Sequence, residues 1–235
     1  MRILVVTAVD AEATAVRHGL VPAAGGRMVE VAVVGVGSAA AAAGTSRQLA
    51  LAASTGRPYH AVISAGIGGG FPGRVEVGQT VLATRCVAAD LGAESPDGFL
   101  SLDELGFGSA TAPVDRDLTA WLRAALPAAT TGAVLTMNTV TGTAASAAAL
   151  AARHPDAVAE AMEGYGVACA AGLAGLPFAE LRTISNAVGP RDRSGWRIPA
   201  ALAALTTALT TLTTALTTLT GTPAAPPTPT RPAAG

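Results

Sequence analysis

Short uninterrupted apolar runs alternate with longer helix-like segments along most of the chain. Residues 2–8 (RILVVTA) and 61–65 (AVISA) are almost wholly apolar, which is typical of strands buried on both faces of a parallel sheet. Between them an Ala-rich helix is predicted at 38–54. Because strands that alternate with helices form a mostly parallel sheet covered by helices, the sequence predicts an α/β fold.

The other predicted elements keep this order. Strands are predicted at 29–34, 79–85, 131–136, 157–161 and 178–185, and helices at 10–18, 115–126, 143–153 and 163–174. Asp10 is the expected N-cap of the first helix. Residues 90–112 have few periodic apolar positions and are expected to be a loop or excursion. No linker is visible, so residues 1–220 are expected to form one domain.

The C-terminal part contains a predicted helix with leucines that step by three and four, from Leu202 to Leu219. The uncharged segment is long enough to cross a bilayer. Its leucines lie on one face and its threonine hydroxyls on the other, which favours a helix packed on the sheet or on a partner subunit. The Pro-rich residues 221–235 are expected to be a disordered tail.

Composition excludes several function classes. Half of the 235 residues are apolar and 13% are charged, so a packed core is expected. The net charge of −1 argues against nucleic-acid binding, and the absence of lysine excludes Schiff-base and P-loop lysine mechanisms. Cys86 and Cys169 lack metal-site spacing and are expected to be buried free thiols, and no metal site is expected. The N-terminal apolar run is too short for a signal peptide, so a cytoplasmic protein is expected.

Three polar positions stand where predicted strands end or helices begin, which is where α/β sheets bind ligands. Glu12 could accept a proton from water, or it could be a first-turn Glu that favours the helix dipole. Glu163 could bind two vicinal hydroxyls beside an apolar wall made by Met162, or it could be a helix-start Glu next to a core Met. Asn186 could bind a purine edge through two hydrogen bonds, or it could be an ordinary turn residue.

Two further segments are candidate ligand contacts. The run Gly66-Ile67-Gly68-Gly69-Gly70 is predicted to be a turn that lets the backbone approach a ligand closely. It does not match the dinucleotide-binding pattern, so an NAD site is not favoured. The segment 189–197 could hold an anionic substituent by bidentate arginine contacts, or it could be a solvated loop with an Arg–Asp pair.

Taken in order, these pieces resemble the nucleoside phosphorylase/nucleosidase superfamily over roughly residues 2–205, and within it the methylthioadenosine/S-adenosylhomocysteine nucleosidase branch. The resemblance implies a three-layer α/β/α fold with a central mixed, partly barrel-like sheet, in a homodimer or larger homo-oligomer. It implies that Glu12 polarises the attacking water and that Glu163 binds the ribose hydroxyls, with Met162 against the sugar. It further implies that Arg182 orients Glu163, and that backbone groups of Val140 and Thr141 meet the base.

The chain departs from that branch in ways that bear on its chemistry. Asn186 stands where these nucleosidases carry an aspartate that protonates purine N7, and Ile67 stands where relatives carry a hydroxyl residue. Phosphorylases of the superfamily hold phosphate with an N-terminal Gly-Asp-Pro-type loop and an arginine. Here residues 7–12 are acidic and contain no arginine, so a phosphate dianion would be repelled and water is the expected nucleophile.

The asparagine, with the continuation NAVGPRDRSGW, resembles the futalosine hydrolase family. That family hydrolyses the N-ribosidic bond of futalosine, giving hypoxanthine and dehypoxanthine futalosine, in menaquinone biosynthesis. The benzoate of the substrate is expected to meet Arg191, Arg193 or Arg197, and its arm to be lined by Phe71 and Trp196.

The expected partner is therefore a small-molecule nucleoside, with no cofactor, nucleic acid or membrane. The alternatives are a methylthioadenosine/S-adenosylhomocysteine nucleosidase, a purine nucleoside phosphorylase, and a non-catalytic nucleoside-binding protein of the same fold.

Overall fold

A computed structural model describes residues 1–20 and 28–218, which contain ten strands and seven α-helices. They are, in chain order, β1 (Arg2–Thr7), α1 (Asp10–His18), β2 (Met28–Val33), α2 (Ser38–Ser54), β3 (Ala61–Gly70), β4 (Thr80–Ala88), β5 (Gly92–Ser95), β6 (Gly98–Ser101), α3 (Leu102–Leu105), β7 (Thr111–Pro113), α4 (Arg116–Ala125), β8 (Thr130–Thr136), α5 (Ala144–Arg153), β9 (Ala157–Ala161), α6 (Gly164–Leu173), β10 (Phe178–Ala187) and α7 (Ile198–Thr218). The predicted tail at 221–235 lies outside the described residues, as does Leu219.

The main sheet closes partly on itself. β3 pairs with β10, and the ring continues through β4, β8 and β9 back to β3, while β1 and β2 extend from β3 as an open wing. The pairs β1–β2, β1–β3, β3–β10, β4–β8 and β8–β9 are parallel, whereas β3–β9, β4–β10 and β4–β7 are antiparallel. This confirms the predicted mixed, partly barrel-like sheet.

Helices cover both faces of the sheet, because successive side chains of a strand point to opposite faces. Leu4 of β1 belongs to the apolar cluster that includes residues of α2 and α6. Its neighbour Val5 belongs to a second cluster, formed with α1, α4 and α7. The continuous apolar runs in the sequence therefore correspond to strands that are buried on both sides, as predicted.

The glycine run was expected to be a turn, and that prediction is wrong. β3 extends through Gly70, because residues 66–70 pair with β10 on one edge and Gly69 and Gly70 pair with β9 on the other. The curved strand requires glycine here: a Cβ on Gly68 would lie 2.7 Å from the Glu160 carbonyl oxygen, and one on Gly70 would lie 2.7 Å from Val75. Hydrogen bonds to two neighbouring strands outweigh the low strand propensity of glycine.

The predicted loop at 90–112 is also wrong in part. It contains the hairpin β5–β6, the short helix α3 and the edge strand β7. The hairpin turns at Pro96-Asp97, and Gly98 begins β6 with a φ of 123°. A Pro-Asp-Gly sequence is a turn pattern with a physical basis, since Pro presets φ and Gly tolerates positive φ. The strands it joins are too short for periodicity to reveal them.

The final helix α7 packs its leucine stripe inside the domain. Leu205, Leu209, Leu212 and Leu216 are buried, against α1, β3, β4, β10 and α4. By length and composition the helical segment Arg193–Leu216 would suffice to cross a membrane, yet its apolar face is already covered by the domain. Threonines along the helix donate to the carbonyl four residues earlier, as Thr207 does to Ala203 at 3.1 Å, which satisfies their hydroxyls without breaking the helix.

Candidate active site

A cavity of about 310 Å³ lies where the ends of β1, β3, β9 and β10 meet. This volume is at the small end of the range for ligand pockets in proteins. The predicted site residues that line it are Glu12, Ile67, Gly68, Gly69, Val140, Thr141, Met162, Glu163, Asn186, Arg191 and Trp196. The closed sheet therefore gathers residues that are up to 184 positions apart in the sequence.

Glu12 lies in the first turn of α1 with its carboxylate at the cavity wall. Only 4% of the residue is exposed. Oε2 accepts from the backbone N–H groups of Ala8 (3.0 Å) and Val9 (3.3 Å), and Oε1 accepts from the Ile67 N–H (2.9 Å). Val9, not Asp10, is the N-cap of α1. Glu12 thus stabilises the helix start and is also held rigidly against the cavity, so the two interpretations are compatible.

Glu163 is the N-cap of α6 and faces the same cavity, 6% exposed. Its Oε1 accepts from the Gly37 N–H at 3.3 Å, and its Oε2 lies 3.4 Å from Nη1 of Arg182. Met162 lines the cavity beside it. A fixed carboxylate next to a thioether wall can bind two neighbouring hydroxyl groups of a sugar and pack against its ring.

Arg182 does not line the cavity but lies directly behind Glu163, 1% exposed. Its Nε donates to Oε1 of Glu180 (2.8 Å), and its Nη2 donates to the Ser64 hydroxyl (3.0 Å). Burial alone lowers the pKa of Arg182, but the carboxylates of Glu180, Glu163 and Glu12 outweigh burial and raise it above its usual value. The guanidinium is therefore a permanent buried cation that fixes carboxylates on two sides.

Glu180 is a member of this network that sequence reasoning missed. Its Oε2 accepts from the Cys86 thiol at 2.6 Å. Burial, followed by the neighbouring Glu180 carboxylate, raises the pKa of Cys86 well above its usual value, so the thiol keeps its proton and acts as a donor. A single Glu inside the apolar strand FAELRTIS is the pattern that could have revealed it, because a buried carboxylate needs partners.

Gly66 lies beneath both charged groups although it does not line the cavity. A Cβ at this position would come within 2.5 Å of Glu12 Oε1 and 2.6 Å of Arg182 Nη1. Only a residue without a side chain lets the carboxylate and the guanidinium share this space.

Asn186 follows a bulge in β10, and its amide has a defined orientation. Oδ1 accepts from the Ser185 hydroxyl (2.7 Å), and Nδ2 donates to the Ala187 carbonyl (3.0 Å). A carbonyl can only accept, so the nitrogen must face Ala187. One N–H of the amide is used there, which leaves the other available to a ligand.

Glu160 of β9 also lines the cavity, 5% exposed, and was missed by sequence reasoning. Its carboxylate accepts from the backbone N–H of Thr141 at 2.8 Å and from the Thr141 hydroxyl. Burial raises the pKa of Glu160, and the two bonds from Thr141 act in the opposite direction. The Thr141 N–H that was expected to meet the base is therefore engaged by a side chain. Like Glu180, Glu160 stands alone in an apolar strand, AVAEA.

The predicted substrate-arm residues divide into two groups. Arg191 and Trp196 line the cavity, with the Arg191 guanidinium 5.7 Å from the centre of the Trp196 ring. Arg193 and Arg197 are exposed outside the lining. The Arg193 guanidinium lies 5.6 Å from the centre of the same Trp196 ring, and Nη1 of Arg197 donates to carbonyls of its own loop. Phe71 is 2% exposed in a separate apolar cluster, so it does not form a wall of the cavity as was expected.

The electrostatic balance around the cavity is negative. Among the described residues, Arg191 is the cation that lines it, and Arg182 is already engaged by carboxylates. The buried set of Glu12, Glu163, Glu180 and Arg182 carries a formal charge of −2 when all four are ionised. Such a site stabilises developing positive charge and opposes the entry of a dianion.

The sequence model of the phosphorylase superfamily matches residues 6–219. The chain is 50% identical to futalosine hydrolase of Streptomyces coelicolor, over 88% of this chain and 92% of the relative. It is 48% identical to futalosine hydrolase of Acidothermus cellulolyticus, over 86% of each chain.

Solved structures share the fold. A methylthioadenosine/S-adenosylhomocysteine nucleosidase from Colwellia psychrerythraea, in complex with adenine, superposes with a TM-score of 0.74 at 21% identity, covering 92% of this chain and 96% of that one. Futalosine hydrolase of Helicobacter pylori superposes with a TM-score of 0.73 at 16% identity, covering 92% and 97%. At these identities the structural likeness concerns the fold.

Proposed function

The chain belongs to the phosphorylase superfamily, and we propose that it is a futalosine hydrolase, an N-glycosyl hydrolase that releases hypoxanthine from futalosine. The observation that carries this proposal is the single cavity in which Glu12 and Glu163 both lie, with Arg182 behind them and Asn186 in its lining. The identity of about one half with curated futalosine hydrolases over most of the chain supports the choice of substrate.

In the proposed mechanism the ribose binds between the two carboxylates. Glu163 accepts hydrogen bonds from O2′ and O3′, and Met162 packs against the ring. As the bond between C1′ and the base lengthens, positive charge grows on the ribose. The negative balance of the site favours this oxocarbenium-like transition state over the neutral ground state, which is the requirement for catalysis.

Glu12 supplies the nucleophile in this scheme. The three backbone N–H donors that hold its carboxylate leave about one of its four lone-pair positions, on Oε1, free to accept a hydrogen bond from water. The water oxygen bonds to C1′, its proton passes to Glu12, and the electron pair of the C1′–N bond leaves with the base. The base takes up a proton from solvent water, and Glu12 returns its proton to solvent. Water is favoured over phosphate because carboxylates surround the reacting carbon.

Asn186 stabilises the departing base. An amide cannot transfer a proton as an aspartic acid would, but its free N–H can donate to N7 or O6 of hypoxanthine. On the 5′ side, Arg191 is positioned to meet the benzoate carboxylate, and Trp196 to pack against the arm. Arg193 lies as close to the Trp196 ring as Arg191 does but outside the lining, and Arg197 is engaged by carbonyls of its own loop.

A substrate panel tests the proposal. Release of free base is followed for futalosine, inosine, S-adenosylhomocysteine and methylthioadenosine. We expect the highest kcat/KM for futalosine, since it alone carries both hypoxanthine and a 5′ carboxylate that Arg191 can bind. A preference for S-adenosylhomocysteine or methylthioadenosine would assign the chain to the adenine nucleosidases instead.

The proposal extends to a cytoplasmic homo-oligomer. A groove of about 520 Å³ between α2 and α6 includes Leu173, which is 89% exposed. Exposed apolar surface of this kind is typical of a subunit interface. Sedimentation velocity of the purified chain distinguishes a dimer or larger assembly from a monomer.

A further inference from the structure

Glu160 and Asn186 face each other across a strand without a side chain between them. In the strand register both residues pair with Gly69, Glu160 from β9 on one edge of β3 and Asn186 from β10 on the other. Directly paired residues place their side chains on the same face of a sheet, and two strand spacings separate their Cα atoms by about 10 Å. At this position β3 therefore contributes no side chain between the carboxylate and the amide.

Gly69 lies in the lining of the cavity, and the space that a side chain would take there is already occupied. A Cβ on Gly69 would meet Val188 at 2.9 Å and Nδ2 of Asn186 at 3.4 Å. All four residues line the same cavity. A larger residue at this position would press on Val188 and on the Asn186 amide, so the glycine lets the amide keep its place at the cavity wall.

The two polar groups have opposite hydrogen-bonding character. Asn186 offers an N–H, because its oxygen already accepts from Ser185. Glu160 offers lone pairs, because each of its carboxylate oxygens accepts one hydrogen bond from Thr141, from the N–H or the hydroxyl, and can accept a second. The wall opposite Asn186 is thereby an acceptor instead of a donor.

We propose that Glu160 is a specificity-determining residue that accepts the N1–H of a 6-oxopurine while Asn186 donates to its N7 or O6. Hypoxanthine has acceptors at N7 and O6 next to a donor at N1–H, which matches this pair of side chains. Adenine presents an amino donor at C6 and an unprotonated acceptor at N1, which would face the carboxylate with no hydrogen between them. A site that leaves buried polar groups unpaired rejects the wrong ligand strongly.

This inference rests on the proposed function and deepens it, since it assigns base selection to a residue outside the ribose and water machinery. The structural alternative is that Glu160 only clamps the segment around Thr141. A clamp would affect all substrates alike, whereas a base-reading residue would change the ratio between two bases on the same sugar.

The test compares futalosine with its analogue that carries adenine in place of hypoxanthine. For Glu160→Gln we expect kcat/KM for futalosine to fall roughly 10- to 100-fold, the loss of one charge-assisted hydrogen bond. For the adenine analogue, kcat/KM of this variant should be unchanged or higher, because the Gln amide can donate to N1. Thr141→Val is the control, because it keeps the Glu160 carboxylate and removes the hydroxyl that bonds to it. This variant should lower kcat/KM for both substrates by the same factor.

An equal loss for both substrates in E160Q, or no loss, would overturn the inference. A second measurement needs no variant: calorimetric titration of the wild-type chain with hypoxanthine and with 1-methylhypoxanthine, which lacks N1–H. We expect the methylated base to bind at least 10-fold more weakly, and equal binding would also overturn the inference. If the wild-type chain binds the bases with this difference but cleaves neither nucleoside, the proposed function fails and the inference stands.

Discussion

At the scale of single residues, the site depends on carboxylates with distinct partners. Glu12 is held by backbone N–H groups and Glu163 by a guanidinium and a backbone N–H. The positions of both were predictable, because each follows a strand or opens a helix. Their partners were not predictable, since Gly37 and Ile67 carry no polar side chain that would mark them as hydrogen-bond donors.

The buried residues Glu160 and Glu180 were missed by the sequence analysis. The apolar pattern of their strands predicts burial in the core, but it does not show which groups would pair with a buried carboxylate there.

The first prediction concerns Glu12→Gln. We expect kcat on futalosine to fall by about 10²- to 10⁴-fold, the usual contribution of a general base, while KM stays within a few-fold of the wild-type value. Steady-state kinetics provide the measurement. Unchanged turnover would remove Glu12 from the chemistry and leave it as a residue that stabilises the start of α1.

The second prediction concerns Asn186→Asp. The oxygen that replaces Nδ2 would face the Ala187 carbonyl, which favours a protonated carboxyl at that position. We expect such a variant to gain activity on the adenine analogue relative to futalosine, because the new acid can protonate N7. Selectivity that does not move in this variant would show that Asn186 has no role in reading the base.

At the scale of secondary structure, the elements with a regular pattern of buried apolar residues were predicted from the sequence. The elements without such a pattern were missed. α2 begins and ends at the predicted residues, because its many alanines strongly favour a helix. The glycine segment of β3 was predicted as a turn, because local propensity says nothing of the two strands that pair with it. Short strands such as β5 and β7 have too few residues to show a period.

The third prediction uses a pair of glycines. In Gly66→Ala the new Cβ displaces the Glu12 carboxylate and the Arg182 guanidinium, so we expect at least a 100-fold loss of kcat/KM, comparable with loss of Glu12 itself. Gly172→Ala in α6 is the control, because its Cβ meets nothing within 4 Å. That variant should keep full activity, and its free energy of unfolding should exceed that of the wild type by up to about 1 kcal/mol. Equal activity of the two variants would contradict the packing described for Gly66.

The fourth prediction concerns the junction of β1, β2 and the start of β3. Tyr59 donates to Oε2 of Glu30 at 2.7 Å, and Arg2 lies 4.5 Å from the centre of the Tyr59 ring. Burial, followed by the bond to Glu30, raises the pKa of Tyr59 to about 12. A raised pKa means that the fold prefers the protonated phenol, so this stabilisation is complete below pH 10 and is lost as pH rises towards 12.

Tyr59→Phe should therefore lower the free energy of unfolding by about 1 kcal/mol at neutral pH. The difference between wild type and variant should shrink between pH 10 and 12, as followed by urea unfolding across that range. A difference that grows with pH would have the wrong sign for a phenol held in its protonated form.

At the scale of the whole molecule, ring closure through the β3–β10 pairing turns distant segments into one site. Glu12 near one end of the chain and Asn186 near the other line the same cavity because β1 and β10 both pair with β3. The order of the motifs allowed the family to be recognised from sequence, and the mixed sheet followed from the family. The sequence could not predict that Arg191 lines the cavity while Arg193 and Arg197 do not, because the path of a loop depends on contacts that composition does not encode.

In the proposed mechanism, two carboxylates on either side of the sugar let water cleave the bond to the purine. The most direct test is turnover of futalosine in ¹⁸O-labelled water, with and without inorganic phosphate, followed by mass spectrometry of the sugar product. We expect one ¹⁸O atom on the released sugar, no phosphorylated product and a rate that does not depend on phosphate. A phosphorylated sugar, or turnover that requires phosphate, would contradict it.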